Sequence, residues 1–431
     1  MSTALRNDVY RRRVIITLGT LVIVGILSAL TVLKSHIALI ENTFFSAPPA
    51  SFSLYSADFM CFYAAAQIAA QSLSAVYNPA ILDAVQAAIT GPVQANNPHY
   101  NYVYPPLITL FLIPLSGLSF GKAYYAWMTI SYLMTTCAVF LLTPLRFKTW
   151  QRILCGALLP LGFPFFSFTV LTSGQLSSIG LLIFALVIRL RQVSHRWAGV
   201  ALALGLYKPP LFVAYAVLTL MAREWRLLQG AVVGGIAIVG ISIACTGIAP
   251  WLAFASEASG YMYGRSLSDG RSLPPGKGMG LLSAAMCLTG STATGWLLFL
   301  SMSAGAMILH TRAYQGDFED TEFRERFEQA SRTTLTYFLS IQAINYDAAL
   351  LIIPIMLVGG AFVTRAPALH DLYFFTSSLL LLVIAGTMDT ENGSGISTGC
   401  ISVGTFWLVL LYLWRHARAA VRWSNQLPSA T

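Results

Sequence analysis

Three ionisable residues lie in apolar sequence rather than in polar loops: Asp58, Lys208 and Asp347. Charges in such surroundings are costly, and they often mark a functional site. The Asp58 carboxylate fits a general base that takes a proton from an acceptor hydroxyl. It also fits a helix cap, because Ser56-Ala57-Asp58 could open a helix and satisfy its free amides. Both interpretations stay open from the local sequence.

Two cations, Lys208 and Arg265, are candidates for binding a phosphate, and the predicted topology places them on the same side of the membrane as Asp58. Lys208 precedes Pro209-Pro210 at a predicted helix end, where it either extends to lipid headgroups or anchors the phosphate of an anionic lipid-linked substrate. Arg265 belongs to a basic segment, 261–278, that could hold a phosphate or contact anionic lipid.

Polar and aromatic side chains in neighbouring segments complete a predicted substrate cavity. Tyr104 fits either an interfacial aromatic belt or a stack on a sugar face. His99 fits a solvated loop as well as a cavity, whereas Gln175 and Asp347 fit either helix caps or cavity contacts. The predicted cavity residues are Tyr63, His99, Tyr104, Gln175, Asn345 and Asp347.

The elements that position these residues must be membrane helices. The chain has 431 residues, of which 56% are hydrophobic and only 10% charged, whereas soluble domains carry about 25% charged residues. Continuous apolar runs of roughly 17–25 residues recur along the chain, which excludes an ordinary soluble enzyme and predicts an all-α polytopic membrane protein. The net charge of +9 comes from residues at span ends rather than from a basic surface, so we expect no nucleic-acid partner.

Cysteine and acidic spacing gives no sign of a metal centre. The six cysteines form no CxxC pair, and Asp58 is followed by Phe59 and Met60 instead of a second acid. We therefore predict no disulfide framework, no metal site and no cofactor. Dependence on a divalent metal stays an open alternative, but no acidic pair supports it.

Basic clusters set the predicted topology. Arg11-Arg12-Arg13 precedes an apolar run that we interpret as an uncleaved first span, and it places the N-terminus in the cytoplasm. Residues 104–118 are short and contain Pro114, so they are predicted to be interfacial or re-entrant. About twelve spans then form one domain over residues 1–431, with both termini cytoplasmic. The predicted outer loops are 34–121, with interfacial helices over 56–72 and 80–90, and 248–291. The predicted cytoplasmic loop is 312–331. The charged segment 317–332 is predicted to form a solvated amphipathic helix, and a span over 332–345 follows it.

An ordered series of short motifs resembles the glycosyltransferase 87 family. The motifs are Asp58-Phe59, Tyr63-Ala64-Ala65, Val76-Tyr77-Asn78-Pro79, Tyr104-Pro105-Pro106-Leu107, Gly174-Gln175, Ala198-Gly199, Lys208-Pro209 and Tyr346-Asp347. The resemblance implies a GT-C fold and a polyprenyl-phosphate-linked sugar donor, often mannose, as in phosphatidylinositol-mannoside mannosyltransferases. It also implies transfer at the periplasmic face of the inner membrane, with Asp58 as the catalytic base and a lipid or glycan as acceptor.

Two other functions are weighed against glycosyl transfer. A transporter or flippase of a lipid-linked sugar needs charges in both halves of the membrane, whereas the embedded charges recognised in the sequence lie on the outer side. A noncatalytic scaffold does not account for a polar set that faces a cavity.

Overall fold

A computed structural model describes residues 52–90, 99–260, 278–316, 318, 320–364, 368–388 and 397–426. Throughout these residues the regular structure is helical, apart from one isolated antiparallel bridge between Gly278 and Ile344. The helices are α1 (Phe52–Ala69), α2 (Pro79–Thr90), α3 (Pro106–Leu112), α4 (Phe120–Leu142), α5 (Thr149–Leu158), α6 (Ser177–Arg191), α7 (His195–Ala203), α8 (Pro209–Met221), α9 (Trp225–Thr246), α10 (Ala249–Gly260), α11 (Leu281–Thr289), α12 (Thr292–Ala313), α13 (Thr321–Phe338), α14 (Ile352–Thr364), α15 (Leu369–Met388) and α16 (Thr398–Gln426).

Five stretches are long and apolar enough to cross a membrane. They are Phe120–Leu142, Trp225–Thr246, Thr292–Ala313, Asn345–Phe362 and Thr398–Ala419. The prediction of an all-helical membrane protein is confirmed at this level, while the count of twelve spans and the GT-C fold stay predictions. The predicted first span, 14–33, lies outside the described residues.

Prolines and glycines set several helix boundaries. Pro79, Pro106 and Pro209 each begin a helix, where a missing backbone N–H has no cost and the fixed φ is already helical. Gly247 and Gly290 end α9 and α11 with φ of 76° and 61°, a backbone conformation that glycine adopts freely. A 3-10 helix continues α3 directly, and the combined helix, Pro106–Gly117, is shorter than the roughly 17–25 residues that a span needs, which is consistent with the prediction for 104–118.

The α7–α9 pair shows how tightly membrane-type helices pack here. A Cβ atom on Gly199 would lie 2.0 Å from the carbonyl oxygen of Leu227, and one on Gly230 would lie 2.1 Å from that of Arg196. Small residues allow such close approach of two backbones, which is how helices associate without a hydrophobic force between them. The outer face of α9 carries strongly exposed apolar side chains, including Val233 and Ile236, as expected for a surface in contact with lipid.

The charged segment before Arg332 differs from its prediction. The sequence predicts a solvated helix followed by a span over 332–345, but α13 is one continuous helix that ends at Phe338. Arg326 and Arg332 are 9% and 1% exposed, and Arg332 pairs with Glu224 and Glu328 at 3.0 and 2.8 Å. The expectation of a solvated helix is therefore wrong, because Glu224 and acids of α13 itself supply the counter-charges that allow burial.

Candidate active site

A cavity of about 250 Å³ lies where six segments converge. The segments are α1, residues 100–104, the turn before α6, the α7–α8 junction, α10 and residues 342–346. Its walls combine aromatic rings, including Phe62, Tyr104 and Tyr346, with a few polar groups, of which Asp58, Gln175 and Lys208 are the most prominent. Ligand sites typically have such walls, in which apolar surface gives contact area and convergent polar groups fix orientation.

Asp58 reaches this cavity from the second turn of α1. Because α1 begins at Phe52, Asp58 is not the helix cap that the sequence left open. Burial raises the pKa of the Asp58 carboxyl above its ordinary value of 3.8, while hydrogen bonds with the Gln175 and Ser173 side chains and the charge of Lys208 oppose that rise. A carboxylate with a raised pKa is a stronger base, so the environment suits proton abstraction.

The turn that carries Ser173 and Gln175 is held against α1 by specific contacts. Gly174 has φ of +74°, and a Cβ there would lie 2.6 Å from the Cβ of Phe59. The Trp127 indole donates a hydrogen bond to the Gly174 carbonyl at 2.7 Å, and the Tyr124 hydroxyl donates one to the Thr172 carbonyl at 2.6 Å. Helix α4 therefore fixes the turn, and a residue without a side chain allows it to approach Asp58.

Gln175 presents an unused acceptor to the cavity. Its amide nitrogen is the group that can donate to the Asp58 carboxylate. Its Oε1 atom is buried and accepts no hydrogen bond among the described residues. Because a buried acceptor without a donor is unfavourable, this oxygen is suited to accept a hydrogen bond from a hydroxyl of a bound ligand.

Lys208 points inward and forms an ion pair. Its Nζ atom lies 2.5 Å from Oδ2 of Asp347, with side-chain exposures of 9% and 0%. The Ser177 hydroxyl donates to the other Asp347 oxygen at 3.0 Å, and the Lys208 ammonium lies 4.8 Å from the centre of the Tyr346 ring. Lys208 therefore does not extend to headgroups. Asp347 lies behind it, outside the cavity wall.

The sequence profile of glycosyltransferase family 87 matches residues 102–325, which is just over half of the chain. The chain belongs to glycosyltransferase family 87. It is therefore a glycosyltransferase, with sugar donor and acceptor as its substrates. No curated protein and no solved structure matches the chain. The matched segment contains the cavity residues Tyr104, Gln175 and Lys208. It begins after α1 and does not include Asp58, so the argument for a role of Asp58 depends on its position in the cavity.

Several residues predicted for the cavity of this family 87 enzyme lie elsewhere. The Tyr63 hydroxyl donates to the Leu118 carbonyl at 2.7 Å, away from the cavity wall. His99 is 4% exposed, with Nδ1 3.5 Å from an oxygen of Asp83, so it is buried rather than solvated. Asn345 lies just outside the wall, with its Oδ1 atom accepting from the Tyr346 amide. The predicted phosphate ligand Arg265 lies outside the described residues.

Other residues of the family 87 cavity were not predicted from the sequence. Asn101 donates to Glu257 of α10 at 2.9 Å and thereby joins the segment before α3 to α10. Gln342 and Tyr346 approach from the segment after α13. Asn101 and Gln342 are uncharged loop residues without distinctive spacing, so no sequence signal was available for them. Tyr346 was recognised only as part of the Tyr346-Asp347 motif.

A metal ion finds little support in this cavity. Within the described part of the chain Asp58 is the single carboxylate among the lining residues, and Asp347 is already paired with Lys208. Divalent cations of the magnesium class need several converging oxygen ligands. The residues present do not supply them.

Proposed function

We propose that this family 87 glycosyltransferase moves a hexose, with mannose favoured, from a polyprenyl-phosphate donor to a hydroxyl of a lipid or glycan acceptor. The observation that carries the proposal is the convergence of a desolvated carboxylate, Asp58, and a buried ammonium, Lys208, on one aromatic-walled cavity. At about 250 Å³ the cavity is just below the roughly 300–1,000 Å³ of drug-sized ligand sites, which suits a sugar and its phosphate.

Asp58 acts as general base in this proposal. The acceptor hydroxyl hydrogen-bonds to the carboxylate, transfers its proton and attacks the anomeric carbon from the face opposite the phosphate. One displacement inverts the anomeric configuration, so a β-linked donor gives an α-linked product. The raised pKa of Asp58 supports this role, because it brings the base closer to the working pH.

Lys208 stabilises the departing lipid phosphate. Asp347, which accepts a hydrogen bond from the Ser177 hydroxyl, holds the lysine from behind, so the Lys208 ammonium enters the cavity with little freedom. A preorganised cation stabilises charge that develops on a leaving group without having to reorient during the reaction. Arg265 is proposed as a second ligand of the same phosphate.

The proposed location is the inner membrane, with the cavity at the periplasmic face. The five apolar helices support a membrane enzyme, and the basic clusters at the predicted cytoplasmic ends support the orientation. The segments that meet at the cavity are those that the charge distribution assigns to the outer side. A lipid-linked donor would enter laterally from the bilayer.

A flippase of a lipid-linked sugar is the second candidate, and one observation favours it. A second cavity of about 640 Å³ contains Arg191, Glu224 and Arg332, so buried charges are not confined to the predicted outer side. These charges pair with one another, however, with Arg332 3.0 Å from Glu224. Because these charges neutralise one another, the network is better suited to a structural role than to a substrate path.

Transfer by the purified enzyme distinguishes the two functions. The protein in detergent is given polyprenyl-phosphate mannose and a glycolipid acceptor extract, and products are read by mass spectrometry. A transferase adds one hexose to the acceptor, and Asp58→Asn abolishes that addition while the protein elutes as a folded species. Transport of donor across proteoliposomes with no product in any acceptor fraction would assign the flippase function instead.

A further inference from the structure

A cluster of two histidines and one aspartate lies outside the candidate active site. His370 and Asp371 belong to the first turn of α15, and His416 belongs to α16. The Nε2 atoms of His370 and His416 are 3.3 Å apart. Oδ1 of Asp371 lies 3.2 Å from His370 Nε2 and 3.1 Å from His416 Nδ1. We propose that these three residues bind a divalent transition-metal ion of the zinc class.

The spacing of the three side chains matches what such an ion requires. Zinc bonds to histidine nitrogen and carboxylate oxygen are about 2.0–2.2 Å long, which puts the ligand atoms of a tetrahedral site roughly 3.3–3.6 Å apart. One ligand atom from each of the three residues lies within 4.8 Å of the others. Either nitrogen of His416 is near the site, because Nδ1 lies 3.1 Å from Asp371 Oδ1 and Nε2 lies 3.3 Å from His370 Nε2.

Hydrogen bonding alone does not account for the arrangement. The Asp371 side chain is 10% exposed, and its Oδ1 atom is buried with no hydrogen-bond donor directed at it in the described part of the chain. Nitrogens of both histidines are nevertheless within 3.2 Å of that oxygen. The His416 Nδ1 atom is hydrogen-bonded to the other carboxylate oxygen, Oδ2, at 3.2 Å, so Oδ1 is the atom available to share a cation with the two imidazoles.

The chemistry of the ligands selects the ion. Two imidazoles and one carboxylate suit zinc, nickel, cobalt or copper, whereas magnesium and calcium prefer all-oxygen sites. The histidine side chains are 47% and 37% exposed, so an ion can enter and a water can complete the coordination. The Tyr412 ring, which is almost parallel to that of His416 with 6.1 Å between centroids, limits movement of the His416 ring.

A metal here would connect two consecutive helices. His416 lies close to Trp414, whose indole donates to the Ala313 carbonyl at the end of α12 at 2.8 Å. The ion would therefore fix α15 to a helix that is already anchored in the bundle. The cluster shares no residue with the cavity around Asp58, so metal binding is separable from transfer.

Direct metal binding tests the proposal. The full chain, purified through a tag without histidines and treated with chelator, is titrated with Zn²⁺ alone and desalted before metal analysis. We expect the wild type to retain one equivalent and to gain thermal stability, whereas His370→Ala and His416→Ala bind at least about tenfold more weakly, since even outer contacts of a metal site are worth that factor. His195→Ala, which removes an exposed histidine of α7, is the matched control and keeps the wild-type behaviour.

Cobalt provides a second readout that does not depend on stability. Co²⁺ bound by nitrogen and oxygen ligands in a four-coordinate site gives visible absorption, which both histidine variants should lose. Zinc retention that is equal in the wild type and the two variants would overturn the proposal. So would an equal stabilisation by Mg²⁺, or no zinc retention by the wild type.

Discussion

Lys208 and Asp347 form a buried ion pair, with Nζ and Oδ2 2.5 Å apart and the carboxylate fully excluded from solvent. The two residues are 139 positions apart in the sequence, at the α7–α8 junction and in the segment that precedes α14. The pair fixes the direction of the one lysine that reaches the cavity in the described part of the chain. In the proposed mechanism Lys208 therefore contributes to both stability and chemistry, and the two contributions can be separated.

Asp347→Asn is expected to destabilise the protein strongly. Removing one partner leaves the Lys208 ammonium buried without a counter-charge, which typically costs about 3–5 kcal/mol. Thermal unfolding in detergent, followed by light scattering or intrinsic fluorescence, measures the loss. The double variant Lys208→Met/Asp347→Leu removes both charges and should recover most of the stability, but it should not recover transfer. Recovery of transfer by the double variant would remove Lys208 from the mechanism.

The pH dependence of transfer should follow Asp58. Because burial raises its pKa above 3.8, the base becomes protonated, and transfer is lost, at a higher pH than for an ordinary aspartate. Asp58→Asn should lower the rate by roughly 10²–10⁴ at a pH where the wild-type carboxylate is ionised, with a smaller difference in acid. Asp83→Asn, which changes an acid outside the cavity wall, is the control and should leave both the rate and the profile unchanged.

The same substitution of Asp58 should make the fold more stable at neutral pH. A carboxyl whose pKa is higher in the folded state binds its proton more tightly there, so its contribution to stability falls as the pH rises through the folded pKa. The asparagine amide imitates the protonated carboxyl and does not ionise. The melting temperature of Asp58→Asn should exceed that of the wild type at pH 7 and approach it in acid. A variant that is less stable at pH 7 would indicate a structural role for the carboxylate.

Gly174→Ala should impair transfer through the position of the turn. An alanine at φ of +74° is strained, and its Cβ would lie 2.6 Å from the Cβ of Phe59; the strain alone costs about 1–3 kcal/mol. The turn must shift, taking Gln175 away from Asp58. Gly305→Ala on α12 meets no atom within 4 Å and is the matched control, expected to be neutral or slightly stabilising. The transfer rates and melting temperatures of both variants test whether the position of the turn determines activity.

The ionised Glu224 carboxylate should stabilise the fold, and this contribution should be lost in acid. Although burial alone would raise the pKa of this carboxyl, the charges of Arg332 and Arg191 lower it to about 2 from 4.5, a difference worth roughly 3 kcal/mol. This contribution is present above pH 4.5 and disappears as the pH falls towards 2. Glu224→Gln should therefore be less stable than wild type at pH 7, with a smaller difference at pH 3. An equal difference at both pH values would contradict the assigned ion pairs.

The sequence identified the embedded charges but not their partners. Asp58, Lys208 and Asp347 were recognisable because a charge in apolar sequence needs compensation. Their pairing depends on how distant helices pack, which local spacing does not encode. The same limit explains α13, where Arg332 is paired with Glu224 from another part of the chain.

Helix geometry explains why Tyr63 was assigned wrongly to the cavity wall. At about 100° per residue, the residue five positions after Asp58 is turned roughly 140° away from it. Cys61 and Phe62, three and four positions after Asp58, share its face and do line the cavity. The motif placed Tyr63 near Asp58 in sequence, but the helical period places it on another side of α1.

The small volume of the cavity has a consequence for substrate choice. A space of about 250 Å³ can discriminate among sugars, but it cannot measure the length of the isoprenoid chain of the proposed polyprenyl-phosphate donor, which would stay in the bilayer. The enzyme should therefore be strict about the headgroup and tolerant of the tail, so that soluble donors with short prenyl chains serve almost as well as natural ones once saturating. A steep dependence of the maximal rate on the length of the prenyl chain would mean that a groove beyond the cavity also binds that chain.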